Sequence, residues 1–163
     1  NIDFRNTTLN ALELTDVRLE NCDLSNADFS GAIIHRTEFI NCKLMGLSLS
    51  GATLQNVRMS QCNGRFALMS RVQMKNVLLA ECTFENSNFQ DSRFSKVALG
   101  KCSFRLCQMA GTSLSGIDLC DCDVEGLGVR PEDIKGAIVT PVQAVDFSKL
   151  LGLVISYPAA DLK

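Results

Sequence analysis

Apolar residues recur at every fifth position along most of this chain. The series starts at Phe4 and runs through Leu9, Leu14, Leu19, Leu24, Phe29, Ile34, Phe39, Leu44, Leu49, Leu54 and Met59. It is interrupted once, at Gly64, and resumes as Met69, Met74, Leu79, Phe84, Phe89, Phe94, Leu99, Phe104, Met109, Leu114, Leu119, Val124, Val129 and Ile134. Two residues ahead of each centre the side chain is usually small, as at Cys22, Ala27, Ala32, Thr37, Cys42 and Ala52. The remaining positions are mostly polar and rich in Asn, Ser and Gly. A helix needs apolar spacing near 3.6 and a strand near 2, so a sustained period of five excludes both as the organising element.

A longer period is nested in the first. Cys22, Cys42, Cys62, Cys82, Cys102 and Cys122 stand 20 residues apart, so four pentads make one structural repeat and the chain has four faces. If each pentad turns the backbone by about a quarter circle, the centre and the small residue before it point inward and successive coils pair like parallel strands. At a strand spacing of about 4.8 Å, about seven coils give a rod roughly 33 Å long. The stacking also removes exposed strand edges except at the two ends.

Pentads such as Ala27-Asp28-Phe29-Ser30-Gly31, Cys22-Asp23-Leu24-Ser25-Asn26 and Ser87-Asn88-Phe89-Gln90-Asp91 resemble those of the pentapeptide-repeat family. That resemblance implies an all-β fold, a right-handed quadrilateral parallel β-helix of about seven coils, over residues 1–139. Residues 140–163 are expected to form a C-terminal capping α-helix and tail. The repeat is already running at Asn1, an unusual first residue, which suggests a segment upstream.

The tail carries its own signals. Thr140 with Gln143 fits a capping box, Pro141 suits the first helical position, and Gly152 is a C-terminal stop, so a helix is expected from Pro141 to Leu151. Leu153-Val154-Ile155 is short and apolar, a strand or a hydrophobic hook. Two readings of this tail are compatible: a plug for the open end of the core, and a two-fold dimer interface formed by Phe147, Leu150, Leu151, Leu153, Val154 and Ile155. The stretch from Ile138 to Ala144 with Leu151 to Ile155 resembles the C-terminal end of the quinolone-resistance pentapeptide proteins, the Qnr group.

Composition mainly excludes. The 163 residues carry a formal charge of −2, giving a pI near 5.4 and no basic excess to hold phosphate directly. No apolar run approaches the roughly 20 residues of a membrane-spanning helix, and no signal pattern opens the chain, so a cytoplasmic protein is expected. Seven of the eight cysteines fall in the small inward slot, where a thiol acts as a compact hydrophobe; Cys120 alone falls outward. Neighbouring thiols one strand spacing apart sit slightly beyond disulfide Cβ separation, so reduced cysteines are expected. No Cys-x-x-Cys pair exists and the single histidine, His35, is outward, which argues against zinc. Carboxylates are scattered over all faces with only Glu132 at an inward position, and a filled rod has no catalytic cavity. No enzyme and no cofactor are expected.

What remains is an interaction rod. The resemblance to the Qnr and MfpA proteins implies binding to DNA gyrase or topoisomerase IV by imitation of duplex DNA, and an effect on fluoroquinolone susceptibility. The best acidic cluster for that purpose is Asp118, Asp121, Asp123 and Glu125, although no face is acidic throughout and the segment from Arg58 to Lys75 is locally basic. Unlike many Qnr proteins, the chain has no loop that breaks the repeat. The alternative is a structural or adaptor rod with an unrelated protein partner, motivated by outward apolar residues, above all Phe66 and Leu68 beside the Gly64 interruption. Phe66 has two readings: an outward contact residue, or a ring turned inward to fill the space Gly64 leaves.

Overall fold

The computed structural model describes residues 3–156; Asn1, Ile2 and residues 157–163 of the expected tail lie outside it. The chain winds as a right-handed quadrilateral parallel β-helix with a repeat of 20 residues. Glu13 pairs with Ile33, Ile33 with Thr53, Thr53 with Gln73 and Gln73 with Arg93, parallel at every step. A second column, Asp3, Asp23, Lys43, Asn63, Thr83, Ser103 and Asp123, runs through seven rungs. Counting from Phe4, the faces centred on Phe4, Leu9, Leu14 and Leu19 are called first to fourth.

Regular strands occupy only the third and fourth faces. They are β1 (Glu13–Thr15), β2 (Arg18–Glu20), β3 (Ile33–His35), β4 (Glu38–Ile40), and the longer β5 (Thr53–Ser60), β6 (Gln73–Ala80) and β7 (Arg93–Gly100), each of which crosses the corner between those faces. Isolated bridges hold the first and second faces together.

Corners form two residues after each centre, where the backbone turns left-handed. Asn6, Asn26, Asn41, Asn56, Asn76 and Asn86 sit there with φ between 48° and 57°, and asparagine tolerates this region better than most side chains. The corner amides also stack: Asn41 donates to Asn21 and Asn76 to Asn56, each at 2.6 Å. The repeat's preference for Asn is therefore a backbone requirement with a hydrogen-bond ladder added.

The centres and small slots fill the interior as expected. Leu24, Phe29, Ile34, Phe39, Leu44, Leu54, Phe84, Phe89 and Phe104 are buried, and Phe84 stacks on Phe104 with centroids 5.8 Å apart. Thr37, Ser87, Ser92 and Thr112 share the small slot with the cysteines, and their hydroxyls are hydrogen-bonded: Ser92 donates to the Met69 carbonyl at 3.0 Å and Thr112 to that of Phe89 at 2.6 Å. No buried side-chain polar atom among the described residues is left without a partner. Leu9, by contrast, is 37% exposed, because its coil has a neighbour on one side only.

Two expectations need correction. Gly64 does not break the coil: its N–H donates to Thr83 in the usual register, and the Phe84 ring of the next coil occupies the place where a Cβ would stand. The inward reading of Phe66 is thereby excluded, since Phe84 already fills that space and Phe66 is 55% exposed at a left-handed corner. Near the end of the repeat the inward carboxylate is Asp133, 4% exposed, while Glu132 faces solvent. A turn over residues 131–136 shifts the frame there, and Asp133 is drawn in by Arg130, whose guanidinium donates to it at 2.8 and 2.9 Å, and by the backbone N–H groups of Gly111 and Arg130, each at 3.0 Å.

Helix α1 (Pro141–Ser148) closes the far end and runs into a 3-10 turn, Lys149–Leu151, ended by Gly152 at φ 71°. Its capping box is complete, with Thr140 Oγ1 accepting from the Gln143 N–H and Gln143 Oε1 accepting from the Thr140 N–H.

Candidate interaction surfaces

Because the interior is filled, the chemistry available to this molecule is on its outer columns and at its capped end. No group of three or more His, Cys, Asp or Glu that could hold a metal occurs among the described residues. No helix among the described residues is long and apolar enough to cross a membrane.

The four acidic candidates do not lie on one face. Asp118 and Asp121 are exposed on the fourth face, and neither enters an ion pair among the described residues. Asp123 and Glu125 are on the first face, where Arg105 pairs with both, at 3.6 Å to Asp123 and more closely to Glu125. The cluster thus wraps a corner, and two of its four carboxylates share a single guanidinium within the chain. Twenty-residue periodicity alone shows that Arg105 stacks on Glu125; reading the sequence in rows of 20 is the signal that finds this clamp.

The cysteines divide as their columns dictate. Cys22, Cys42, Cys62, Cys82, Cys102, Cys107 and Cys122 are buried free thiols, and Cys120 is exposed. Burial pushes the Cys107 thiol up to about 12 and that of Cys122 up to about 11, so both stay protonated at neutral pH. Even Cys120 is raised, chiefly because a hydrogen bond to the Asp118 carboxylate favours the protonated thiol.

Two apolar surfaces remain. At the corner between the first and second faces, Met45, Phe66, Leu68 and Leu106 are exposed, with Phe66 and Leu106 in the same column one coil apart from Asn86. At the capped end, Gln143 Nε2 donates to the Leu119 and Cys122 carbonyls at 2.8 and 2.9 Å and so satisfies two acceptors on the last coil's open edge. Phe147 packs half-buried against the core and is consumed by this closure. Leu150, Leu151, Leu153, Val154 and Ile155 remain exposed, Val154 at 93%. Residues 153–156 form neither strand nor helix. An open trough of about 410 Å³ lies between α1 and the last coil, lined by Ile134, Ala137, Val139, Ala144, Phe147 and Leu151. One helix therefore covers the square end incompletely.

A family model described as "Pentapeptide repeat region" matches residues 12–89, and one described as "Pentapeptide repeats (8 copies)" matches residues 87–126. Among solved structures, trypsin-treated QnrB1 with R167E, a plasmid-mediated fluoroquinolone resistance protein, is 17% identical, with 91% of this chain and 100% of that one covered and a TM-score of 0.36. HetL, a pentapeptide repeat protein involved in heterocyst differentiation regulation from the cyanobacterium Nostoc sp. strain PCC 7120, is 18% identical, with 85% and 91% covered and a TM-score of 0.27. A pentapeptide repeat protein from the Arabidopsis thaliana thylakoid lumen is 18% identical, with 90% and 78% covered and a TM-score of 0.22. No curated protein matches the chain.

Proposed function

The chain belongs to the pentapeptide-repeat family, and from that premise we propose that it is a protein-interaction rod rather than an enzyme, with DNA gyrase or topoisomerase IV as its partner. The observation that carries the reading is the placement of Asp118 and Asp121: two unpaired carboxylates on the fourth face, next to the capped end, on a rod whose interior offers no cavity for a substrate. Carboxylates on a stiff rod reproduce the two properties of duplex DNA that a topoisomerase grips, regular shape and regularly spaced negative charge. Asp123 and Glu125 contribute less, since Arg105 offsets them.

The rod works as a two-fold dimer joined at its capped end. Leu151, Leu153, Val154 and Ile155 are surplus to the closure that Gln143 and Phe147 achieve, and a second copy buries them together with the trough beside α1. Dimerisation also brings two copies of Asp118 and Asp121 toward the middle of a rod twice as long.

A supercoiling assay with purified gyrase, with and without a fluoroquinolone, tests this. The expected result is a change in supercoiling or in drug inhibition at micromolar protein. No effect under either condition refutes the topoisomerase reading and leaves the second one, an adaptor rod with an unrelated protein partner. That second reading is favoured by the exposed corner of Met45, Phe66 and Leu68, which the acidic mechanism does not use.

A further inference from the structure

The third face carries charge of one sign through the middle of the rod. Between Ile33 and Gly116 its charged residues are Arg36, Lys75, Arg93 and Lys96, with no carboxylate among them. Arg36 is committed to Asp16. Lys75, Arg93 and Lys96 enter no ion pair among the described residues, nor do Arg58 on the fourth face beside the Asn56 corner and Arg71 at the corner with the second; the acids beside this group are Asp91, next to Arg71 in the neighbouring coil, and Glu38, which is in register with Arg58 and pairs with Arg18. The register places the five cations on three successive coils: Arg58 on β5, Arg71 and Lys75 with β6, Arg93 and Lys96 on β7. On a chain whose net charge is −2, five cations without carboxylate partners gather on one side of the rod; Lys101 and Lys135 are the others among the described residues. Arg5, Arg18, Lys43, Arg65, Arg105 and Arg130 all have carboxylate partners.

We propose that this face, from Arg58 to Lys96, is a docking surface for an acidic protein surface, separate from the acidic end that the gyrase reading uses. Charge complementarity sets the sign of the partner, and the ground between the cations sets its class. A shallow depression of about 320 Å³ crosses the corner between the third and fourth faces, where Leu78 and Ala98 lie beside the stacked Asn56 and Asn76 amides and are flanked by Arg58 and Lys96. Aliphatic side chains between cations match carboxylates interleaved with apolar residues better than a phosphate backbone, which offers nothing for Leu78 and Ala98 to pack on. A duplex carries one charge per about 1.7 Å, a denser array than five cations spread over three coils can match. No exposed aromatic ring lies on this face to stack a base.

The probe is a labelled synthetic peptide of alternating glutamate and leucine, titrated with the full chain by fluorescence anisotropy, with a labelled DNA duplex of equal charge run in parallel. Lys75→Glu with Lys96→Glu changes the face; Lys43→Glu with Lys149→Glu imposes the same charge change elsewhere. The face variant is expected to weaken peptide binding by roughly tenfold, the sum of two lost surface ion pairs and the repulsions that replace them, while the control stays within about twofold and both keep the wild-type melting temperature. If the glutamate variant fails to fold, Lys75→Gln with Lys96→Gln gives the same comparison. No peptide binding, equal losses in both variants, or tighter binding of the duplex overturns the proposal. So does a mass in light scattering that falls only in the face variant, which assigns the surface to a second copy. The supercoiling assay does not depend on this face, so either result can fail alone.

Discussion

Gly64 stands where every other coil carries an apolar side chain, and the Phe84 ring from the next coil takes its place. The two residues are a compensating pair, so restoring an ordinary side chain at position 64 overpacks the core. Gly64→Ala is expected to destabilise by about 1–3 kcal/mol, and Phe84→Leu in the same chain to recover part of the loss. Urea unfolding of the two single variants and the double one measures the coupling, and strictly additive losses count against the pairing. Burial makes a matching contrast on the second face: Phe89→Ala should cost about 3–5 kcal/mol, while Asn88→Ala, at an outward position, should change the melting temperature little. The cysteines give a chemical check of the same frame. A bulky thiol reagent should modify Cys120 first, slowly because Asp118 opposes its ionisation, and should reach Cys22, Cys42, Cys62, Cys82 and Cys102 only on unfolding. Rapid labelling of several of those five contradicts the assignment of inward columns.

At the scale of elements, the terminal coil depends on one buried carboxylate. Arg130 holds the Asp133 carboxyl down to about 2, against about 3.9 for an aspartate in an unfolded chain. A depressed folded value means the stability it contributes is complete above about pH 4 and is lost as the pH falls toward 2. Asp133→Ala removes that dependence and leaves the Gly111 and Arg130 N–H groups without their acceptor, at a cost of about 1–3 kcal/mol. Acid titration of the two proteins by circular dichroism separates them, and identical acid profiles rule the latch out. The helix, its capping box and its Gly152 stop were all legible in the sequence, because local hydrogen bonding and backbone preference determine them. Asp133 was not legible: periodicity pointed to Glu132, and only the turn over residues 131–136 moves the frame by one. Gly64 was visible as an interruption, but its neighbour 20 residues on, which explains it, lies in a different coil. The same applies to Arg105 with Glu125 and to the cations Arg93 and Lys96, whose grouping exists only once coils are stacked. Sequence order gives the composition of each coil; lateral neighbours decide which charges are free.

The whole molecule is a rod with distinct sides. Its apolar corner at Met45, Phe66 and Leu68 lies between the first and second faces, and the basic corner at Arg58 and Lys96 lies between the third and fourth, diagonally opposite. Asp118 and Asp121, which have no ion-pair partner among the described residues, lie beside the end where Leu151, Leu153, Val154 and Ile155 are exposed. If that end joins two copies, light scattering at micromolar concentration should give about twice the 17.8 kDa of one chain, and replacing Leu153 and Val154 by Ser should return the mass to one copy. A single-chain mass for the unaltered protein refutes the dimer. The claim on which the functional account turns is that the acidic end occupies the place of DNA on a topoisomerase, and displacement tests it most directly. A fluorescent duplex bound to purified gyrase is titrated with this protein while anisotropy is followed. The account predicts release of the duplex at micromolar protein, and loss of that release in Asp118→Lys with Asp121→Lys, a variant that melts like the original. A duplex that stays bound throughout, or is released equally well by the variant, contradicts it.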